Sequence, residues 1–118
     1  MVDGLDGMMQ FQAAALRLRS QRQELIAANI ANADTPNYKA VDFDFAAALK
    51  GATERAGAAS AAAAPQLLYR TPSQSRVDGN SVEMDAERAS FADNTVRQEA
   101  AMRFLTAQIK TMLAAITG

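Results

Sequence analysis

The chain of 118 residues is 49% hydrophobic and 21% charged, which is the composition of one folded domain. It contains no histidine and no cysteine, so the commonest bases, nucleophiles and transition-metal ligands are missing, and we expect no enzyme, cofactor or metal site. A formal net charge of −1 argues against nucleic acid as a partner. We also expect no transmembrane segment and no cleaved signal peptide, because no apolar run approaches roughly 20 residues and the N-terminus is acidic.

The first predicted element is a helix over residues 5–34, rich in Ala, Leu, Gln and Arg. Its large apolar residues form two rows at seven-residue spacing: Phe11, Leu18 and Leu25 in one, and Met9, Leu16 and Ile30 in the other. At 100° per residue the rows lie about 160° apart, so the helix needs neighbours on two sides, one of which is expected to be the C-terminal helix. Between the rows, Arg17, Arg19 and Arg22 are either solvated charges or contacts to a partner.

A polar run from Asn29 to Tyr38 ends this helix. Pro36 disfavours the helical conformation for Thr35, so the helix ends close to residue 34. Asn29 and Asn32 share a helix face, where their amides can bond a neighbouring backbone. The same residue types also favour ordinary turns, and that interpretation stays open.

Residues 35–84 are predicted to be an extended and variable middle. The alternation from Val41 to Phe45 predicts extended or edge-strand structure, with Phe43 and Phe45 on one face and both carboxylates on the other. Residues 46–65 are Ala-rich and fit either a flexible connection or a weak helix that forms when packed. The sequence Asp78-Gly79-Asn80 indicates a turn.

The last predicted element is a helix over residues 85–117, with Asp85 as its N-cap. Its large residues repeat at alternating spacings of four and three, which is the pattern of a coiled-coil seam. The seam consists of Phe91, Thr95, Gln98, Met102, Leu105, Ile109, Met112 and Ile116. At about 1.5 Å per residue the helix is about 50 Å long, so it is either one arm of a long hairpin or a strut in an assembly.

These elements predict a mainly α fold of a single domain, residues 1–118. Its long N- and C-terminal helices pair as a coiled coil around a short extended, β-turn and Ala-rich middle segment. A soluble helical-hairpin adaptor or chaperone of an export system is compatible with the same pattern.

Two blocks of sequence carry a resemblance to a known family. The run from Leu25 to Ala40, LIAANIANADTPNYKA, is followed by DFDF at 42–45, and the second block is DGNSVEMD at 78–85. Both blocks resemble the flagellar basal-body rod proteins, most closely the proximal branch of that family. Asn37 stands where the family usually has glycine, and asparagine tolerates the left-handed conformation.

The resemblance implies a non-enzymatic structural subunit of the bacterial flagellar rod, the periplasmic drive shaft that transmits torque. It implies partners as well: further copies of the chain, FlgC-like rod subunits, the adaptor FliE and the flagellar type III export apparatus. Export without signal cleavage is implied too, with a short hydrophobic export signal for which Met8 to Leu16 is the candidate.

Subunit-interface residues are predicted from the helix rows, the polar run and the resemblance together. They are Phe11, Leu18, Leu25, Asn29, Ile30, Asn32, Asp34, Thr35, Pro36, Tyr38, Phe43, Phe45, Met102, Leu105, Ile109, Met112 and Ile116.

Overall fold

The computed structural model describes residues 2–54, 66–70 and 76–117. In chain order its elements are α1 (Val2–Ala31), β1 (Val41–Asp42), α2 (Phe45–Glu54), β2 (Leu68–Tyr69) and α3 (Met84–Thr117). The predicted class is confirmed, because two long terminal helices dominate a molecule that measures 63 × 26 × 18 Å.

The terminal helices lie side by side and run in opposite directions. Gln98 of α3 donates to Ser20 of α1, whereas Asn29, further along α1, donates to Glu87, which lies earlier in α3. Rising numbers on one helix therefore meet falling numbers on the other. The helices form the arms of one long hairpin.

The start of α3 differs from the predicted cap. The helix begins at Met84, and the Glu87 N–H donates to the Glu83 carbonyl at 2.9 Å, so Asp85 lies inside the first turn. Its carboxylate still lies near the positive end of the helix dipole, where an acidic group is favourable.

The alternating segment after Ala40 folds differently from the strand that its pattern predicts. β1 ends at Asp42 and pairs antiparallel with β2, with Val41 opposite Tyr69. Phe45 then begins α2, because the Asp44 carboxylate accepts from the Ala47 N–H at 3.1 Å and caps that helix. The prediction of extended or edge-strand structure is therefore wrong at Phe45, and the two carboxylates have separate roles.

The first part of the Ala-rich segment supplies α1 with its second neighbour. α2 packs on α1, and the Arg19 guanidinium lies 3.6 Å from the centre of the Phe45 ring. This contact is a cation–π interaction, so Arg19 is not a purely solvated charge. The choice between a flexible connection and a helix is thus decided for 46–54 in favour of a helix, while residues 55–65 lie outside the described part of the chain.

Candidate functional site

Asn29 is at the centre of a polar cluster inside the chain. Its side chain is fully buried, and its Nδ2 donates to the Val41 carbonyl at 2.8 Å and to Glu87 Oε2 at 3.2 Å. Its Oδ1 accepts from the Val41 N–H at 3.1 Å and from the Tyr38 hydroxyl at 3.3 Å. The amide therefore bonds both main-chain groups of Val41, as a neighbouring strand would.

The structure gives Asn29 a role inside the chain. Its amide does bond a backbone, but the backbone belongs to the same chain, and the side chain has no exposed surface for a neighbouring subunit. Asn32, three residues later, bonds locally: its Nδ2 donates to the Ala28 carbonyl and its Oδ1 accepts from the Thr35 hydroxyl. α1 ends at Ala31, so Asn32 lies just beyond the helix and does not share a helix face with Asn29.

An ion-pair network surrounds Asn29 and connects three segments. Arg70, just after β2, donates through Nη2 to Asp42 at 2.6 Å and through Nη1 to Glu87. Arg22 of α1 donates to both oxygens of Asp42 at 3.1 Å. We call Arg22, Asn29, Asp42, Arg70 and Glu87 the polar clasp, since together they join α1, β1, β2 and the start of α3.

The pKa values of the two carboxyl groups in the clasp are shifted in opposite directions. Burial raises the pKa of Glu87, which is 1% exposed, and the hydrogen bond from Asn29 and the charge of Arg70 offset this only in part. Burial also acts to raise the pKa of Asp42, but hydrogen bonds from Arg22 and Arg70 outweigh it and leave that pKa lowered. The clasp therefore keeps Asp42 as the more strongly held anion.

We expect the Glu87→Gln substitution to remove one part of the pH dependence of folding. A raised folded-state pKa means that the free energy of unfolding falls as the pH rises from the ordinary glutamate value of 4.5 through the folded-state value. For Asp42 the sign is opposite, so stability is lost as the pH falls below its ordinary value of 3.8. Urea melts from pH 3 to 7 should show the first slope in the wild type and not in Glu87→Gln; equal slopes would contradict this account.

The second motif packs against the end of the first. Asn80 Nδ2 donates to the carbonyls of Asn32 and Thr35 at 2.9 and 2.7 Å, and Asn80 Oδ1 accepts from the Val82 N–H at 2.7 Å. The Asn37 N–H donates to the Asp78 carbonyl at 2.8 Å. One buried amide thus fixes the turn that follows α1 to the loop that precedes α3.

Small apolar residues complete this junction. Ala33, Ala40 and Val82 form a buried cluster, with Tyr38 and Met84 packed against it. Asn37 has a positive φ of 65°, a left-handed conformation that asparagine tolerates. Both sequence blocks that carried the resemblance therefore meet within one subunit.

We expect Gly79→Ala to destabilise this junction. Gly79 has a φ of +76°, and an added Cβ would lie 2.4 Å from Asn37 Oδ1. The left-handed conformation alone costs about 1–2 kcal/mol for a residue with a Cβ. Gly7→Ala is the matched control: nothing lies within 4 Å of its Cβ position, and alanine stabilises a helix by roughly 0.5–1 kcal/mol relative to glycine. Thermal melts should move in opposite directions for the two variants, and a stabilising Gly79→Ala would refute the role of this turn.

The face of α3 that contacts α1 is offset from the predicted seam. Three neighbouring rows of residues on α3, each with seven-residue spacing, lie at or beside this contact. The shared row is Phe91, Gln98, Leu105 and Met112; the inner row is Glu87, Asn94, Ala101 and Gln108; the outer row is Thr95, Met102, Ile109 and Ile116. The sequence predicted the shared and outer rows as the seam, whereas the structure turns the inner row and most of the shared row towards α1, with Phe91 38% exposed.

Polar contacts explain the offset. Asn94 is buried and donates to the Arg19 carbonyl at 2.9 Å and to Gln23 Oε1 at 2.7 Å, while Gln98 donates to Ser20 at 3.0 Å. Together with Glu87 in the clasp, these bonds fix the rotation of α3 about its axis. The apolar outer row is left at the surface, with Met102 51%, Ile109 40% and Ile116 79% exposed.

The predicted interface residues fall into three groups by exposure. Buried within the chain are Leu18, Asn29 and Phe43. Partly buried are Leu25, Ile30, Asn32, Tyr38, Phe45, Leu105 and Met112. Exposed are Phe11, Asp34, Thr35, Pro36, Met102, Ile109 and Ile116. The first group packs inside the chain, and the contacts of all three groups with neighbouring subunits stay a prediction.

Several residues of the site were not predicted from sequence. Arg70 lies in no motif, and nothing local marks it as the partner of Asp42 and Glu87. Glu87 and Asn94 carried a usable signal, because polar residues seven apart on a helix that must pair indicate a polar row in the contact face. Asn80 was recognised only as part of a turn.

The free ends of α1 and α3 form an apolar groove of about 270 Å³. Met8, Met9, Phe104 and Met112 line it together with Ala107, Gln108 and Thr111. In the part of the chain that the structure describes, no group of His, Cys, Asp or Glu is arranged to hold a metal ion, and no helix is long and apolar enough to cross a membrane.

Paired terminal helices, an internal polar clasp and an exposed apolar row define a class, that of elongated helical structural subunits. Comparison with known proteins makes the assignment specific. A family model described as flagella basal body rod protein matches residues 9–39, which comprise most of α1 and the turn after it.

Full-length relatives agree with that match. The chain is 45% identical to the flagellar basal body rod protein FlgB of Salmonella typhimurium, over 100% of this chain and 99% of that protein. It is 44% identical to FlgB of Escherichia coli K12, over 96% and 95% of the two chains, and 42% identical to FlgB of Proteus mirabilis HI4320, over 98% of each. The chain belongs to the flagellar basal body rod protein family, and these relatives are of the FlgB type.

Membership of this family gives the function and its location. The chain is a structural subunit of the flagellar basal-body rod, as the two sequence blocks predicted, and it assembles with other rod components. No observation favours the alternative of a helical-hairpin adaptor or chaperone.

Proposed function

We propose that the chain builds the proximal rod through the outer row of α3, and that it has no catalytic activity. The observation that carries this proposal is the rotation of α3: the polar inner row pairs with α1, while Met102, Ile109 and Ile116 remain exposed. Burying a large apolar side chain contributes about 1.5–3 kcal/mol. Each subunit has three such exposed side chains available for contacts with neighbouring subunits.

Exposed residues outside α3 supply further contacts in this proposal. Phe11 is 42% exposed on α1, and the tip formed by Asp34, Thr35 and Pro36 is exposed although its backbone is fixed by Asn80. A rigid, exposed tip loses little conformational entropy on binding. We assign these residues, with the outer row, to contacts between subunits.

The remaining features follow from the same role. Contacts that repeat without closing a ring produce a helical array, which suits a shaft that transmits torque. Single-domain organisation over residues 1–118, export through the flagellar type III apparatus without a cleaved signal, and an export signal within Met8 to Leu16 belong to this proposal. FliE and FlgC-like subunits are the proposed neighbours, alongside copies of the chain.

Mixing experiments test the proposed neighbours. The purified chain is titrated with FliE or a FlgC-like subunit while sedimentation and circular dichroism are recorded. We expect complexes larger than either component, because burial of the exposed outer row against a partner favours association. A chain that stays monomeric alongside both proteins would refute the assignment of these neighbours.

A further inference from the structure

A second apolar surface lies on the other side of α3 from the outer row. It is the terminal groove, which Met8 and Met9 of α1 form with Phe104, Thr111 and Met112 of α3. At 100° per residue, Phe104 and Thr111 lie about 150° from the outer row around the α3 axis. The face between them is held against α1 by the polar inner row, so the hairpin carries one apolar surface on each side of its seam.

The two surfaces match in shape and length. The outer row projects as a ridge of exposed side chains, in which Met102 and Ile109 lie about 10 Å apart along the helix axis. The terminal groove is a hollow of about 270 Å³, and its ends on α3, Phe104 and Met112, lie about 12 Å apart along the same axis. A ridge of side chains that packs in a groove on a second helix is the ordinary geometry of helix packing.

The chemistry of the terminal groove favours an apolar occupant. No charged side chain is among its described lining residues, and Met8 and Phe104 are each 50% exposed. Methionine side chains adapt to the shape of a partner, because they are unbranched and flexible. Apolar side chains are therefore stabilised in the groove, whereas a charged group would lose its hydration there without gaining an opposite charge.

The placement of the two surfaces favours a second copy of the chain as the occupant. Each chain supplies both a ridge and a groove, and the two cannot meet within one chain because they lie on opposite sides of the seam. A contact between the ridge of one copy and the groove of the next is heterologous, so it leaves one groove and one ridge free and continues without closing. Two outer rows packed on each other would instead form a closed pair and leave both grooves exposed.

We propose that the outer row of one copy packs in the terminal groove of the next copy. Met102 and Ile109 of one subunit then contact Met8 and Phe104 of its neighbour. This inference rests on the proposed function and adds to it the surface that receives the outer row.

Two variants that each lack one of the surfaces test this inference. Ile109→Lys places a charge in the outer row and keeps the groove, whereas Phe104→Lys places a charge in the groove and keeps the outer row. Both positions are exposed, so circular dichroism should show the helix content of the wild type. Thr111→Arg, at a second exposed position of the groove, replaces Phe104→Lys if that variant loses helix content.

Sedimentation of the wild type, of each variant and of their equimolar mixture is then measured up to about 1 mM chain. The wild type should form species that grow beyond a dimer as its concentration rises. Each variant alone should associate at least tenfold more weakly, because it lacks one half of the contact. The mixture should form a one-to-one heterodimer that grows no further, since the intact ridge of one variant fits the intact groove of the other and both remaining surfaces are blocked.

Other outcomes separate this inference from the proposed function. If Phe104→Lys alone dimerises as strongly as the mixture, outer rows pair with each other, which overturns the inference and leaves the outer row as an interface. If Ile109→Lys alone associates as strongly as the wild type, both fail. A wild type or a mixture that stays monomeric overturns the inference as well, and the proposed function then stands if a FlgC-like subunit binds the wild type and not Ile109→Lys.

Discussion

Asn29→Ala is expected to destabilise the free subunit by about 3 kcal/mol or more. The substitution removes four hydrogen bonds and leaves the Val41 N–H and carbonyl without their side-chain partner. A buried polar group that loses its partner costs about 1–3 kcal/mol, and several groups are affected at once. Since a domain is stable by only about 5–15 kcal/mol, this loss should greatly reduce the folded fraction in urea melts followed by circular dichroism.

Asn32→Ala is the matched control for this prediction. It deletes the same amide three residues away, but the lost bonds are local and exposed, to the Ala28 carbonyl and the Thr35 hydroxyl. We expect a loss below about 1 kcal/mol. Equal losses for the two variants would show that Asn29 does not hold the clasp together.

Ile109→Lys is expected to prevent rod assembly while leaving the free subunit folded. Ile109 is exposed in the outer row, so the hairpin tolerates a charge there, whereas a neighbour that buries this position would have to bury an unpaired ammonium group. Losing one apolar contact of about 1.5–3 kcal/mol at every subunit lowers the affinity of each step by at least tenfold. Motility and rod content are measured in a strain that lacks its own copy of the gene.

Two control variants separate assembly from folding. Lys110→Ala changes an exposed residue outside the outer row and should leave motility normal. Leu105→Lys changes the shared row, which is half-buried against α1, and should lower the helix content of the free chain as well as block assembly. Normal rods with Ile109→Lys would contradict the assignment of the outer row.

The sequence predicted the helices well, because their signals are local. Seven-residue rows, a proline after the first helix and an unbroken helical pattern at the C-terminal end specify the two long helices without reference to the rest of the chain. The turn at Gly79 was also predicted from sequence, because a glycine between aspartate and asparagine readily adopts the left-handed backbone conformation.

The rotation of α3 about its own axis could not be predicted from the sequence, because it depends on which side chains α1 presents to α3. Periodicity ranks rows by hydrophobicity and therefore favoured Met102, Ile109 and Ile116 over Asn94 and Gln108. Hydrogen bonds from Asn94 and the burial of Glu87 decide the opposite rotation. The most apolar row of α3 therefore did not predict which face of that helix contacts α1 within the subunit.

The clasp was also hidden from sequence for a physical reason. Asp42, Arg70 and Glu87 are separated by 28 and 17 residues, and only the fold brings their charges together. Pairing of β1 with β2 places Arg70 beside Asp42, and pairing of α1 with α3 places Glu87 beside Asn29. The sequence pattern singled out Asp42 only because it alternates with Asp44. The role of Asp42 in the clasp depends on two arginines that no local pattern connects to it.

The central claim is that each subunit closes its clasp internally and offers the outer row to a neighbour. Thiol labelling of Ile109→Cys and Ala101→Cys in purified basal bodies, compared with labelling after the basal bodies are dissociated in denaturant, tests it most directly. We expect both cysteines to be protected at least tenfold in intact basal bodies, Ala101→Cys by α1 of its own chain and Ile109→Cys by a neighbouring subunit. Ile109→Cys reacting as fast in intact basal bodies as in the dissociated chain, with Ala101→Cys still protected, would contradict the claim.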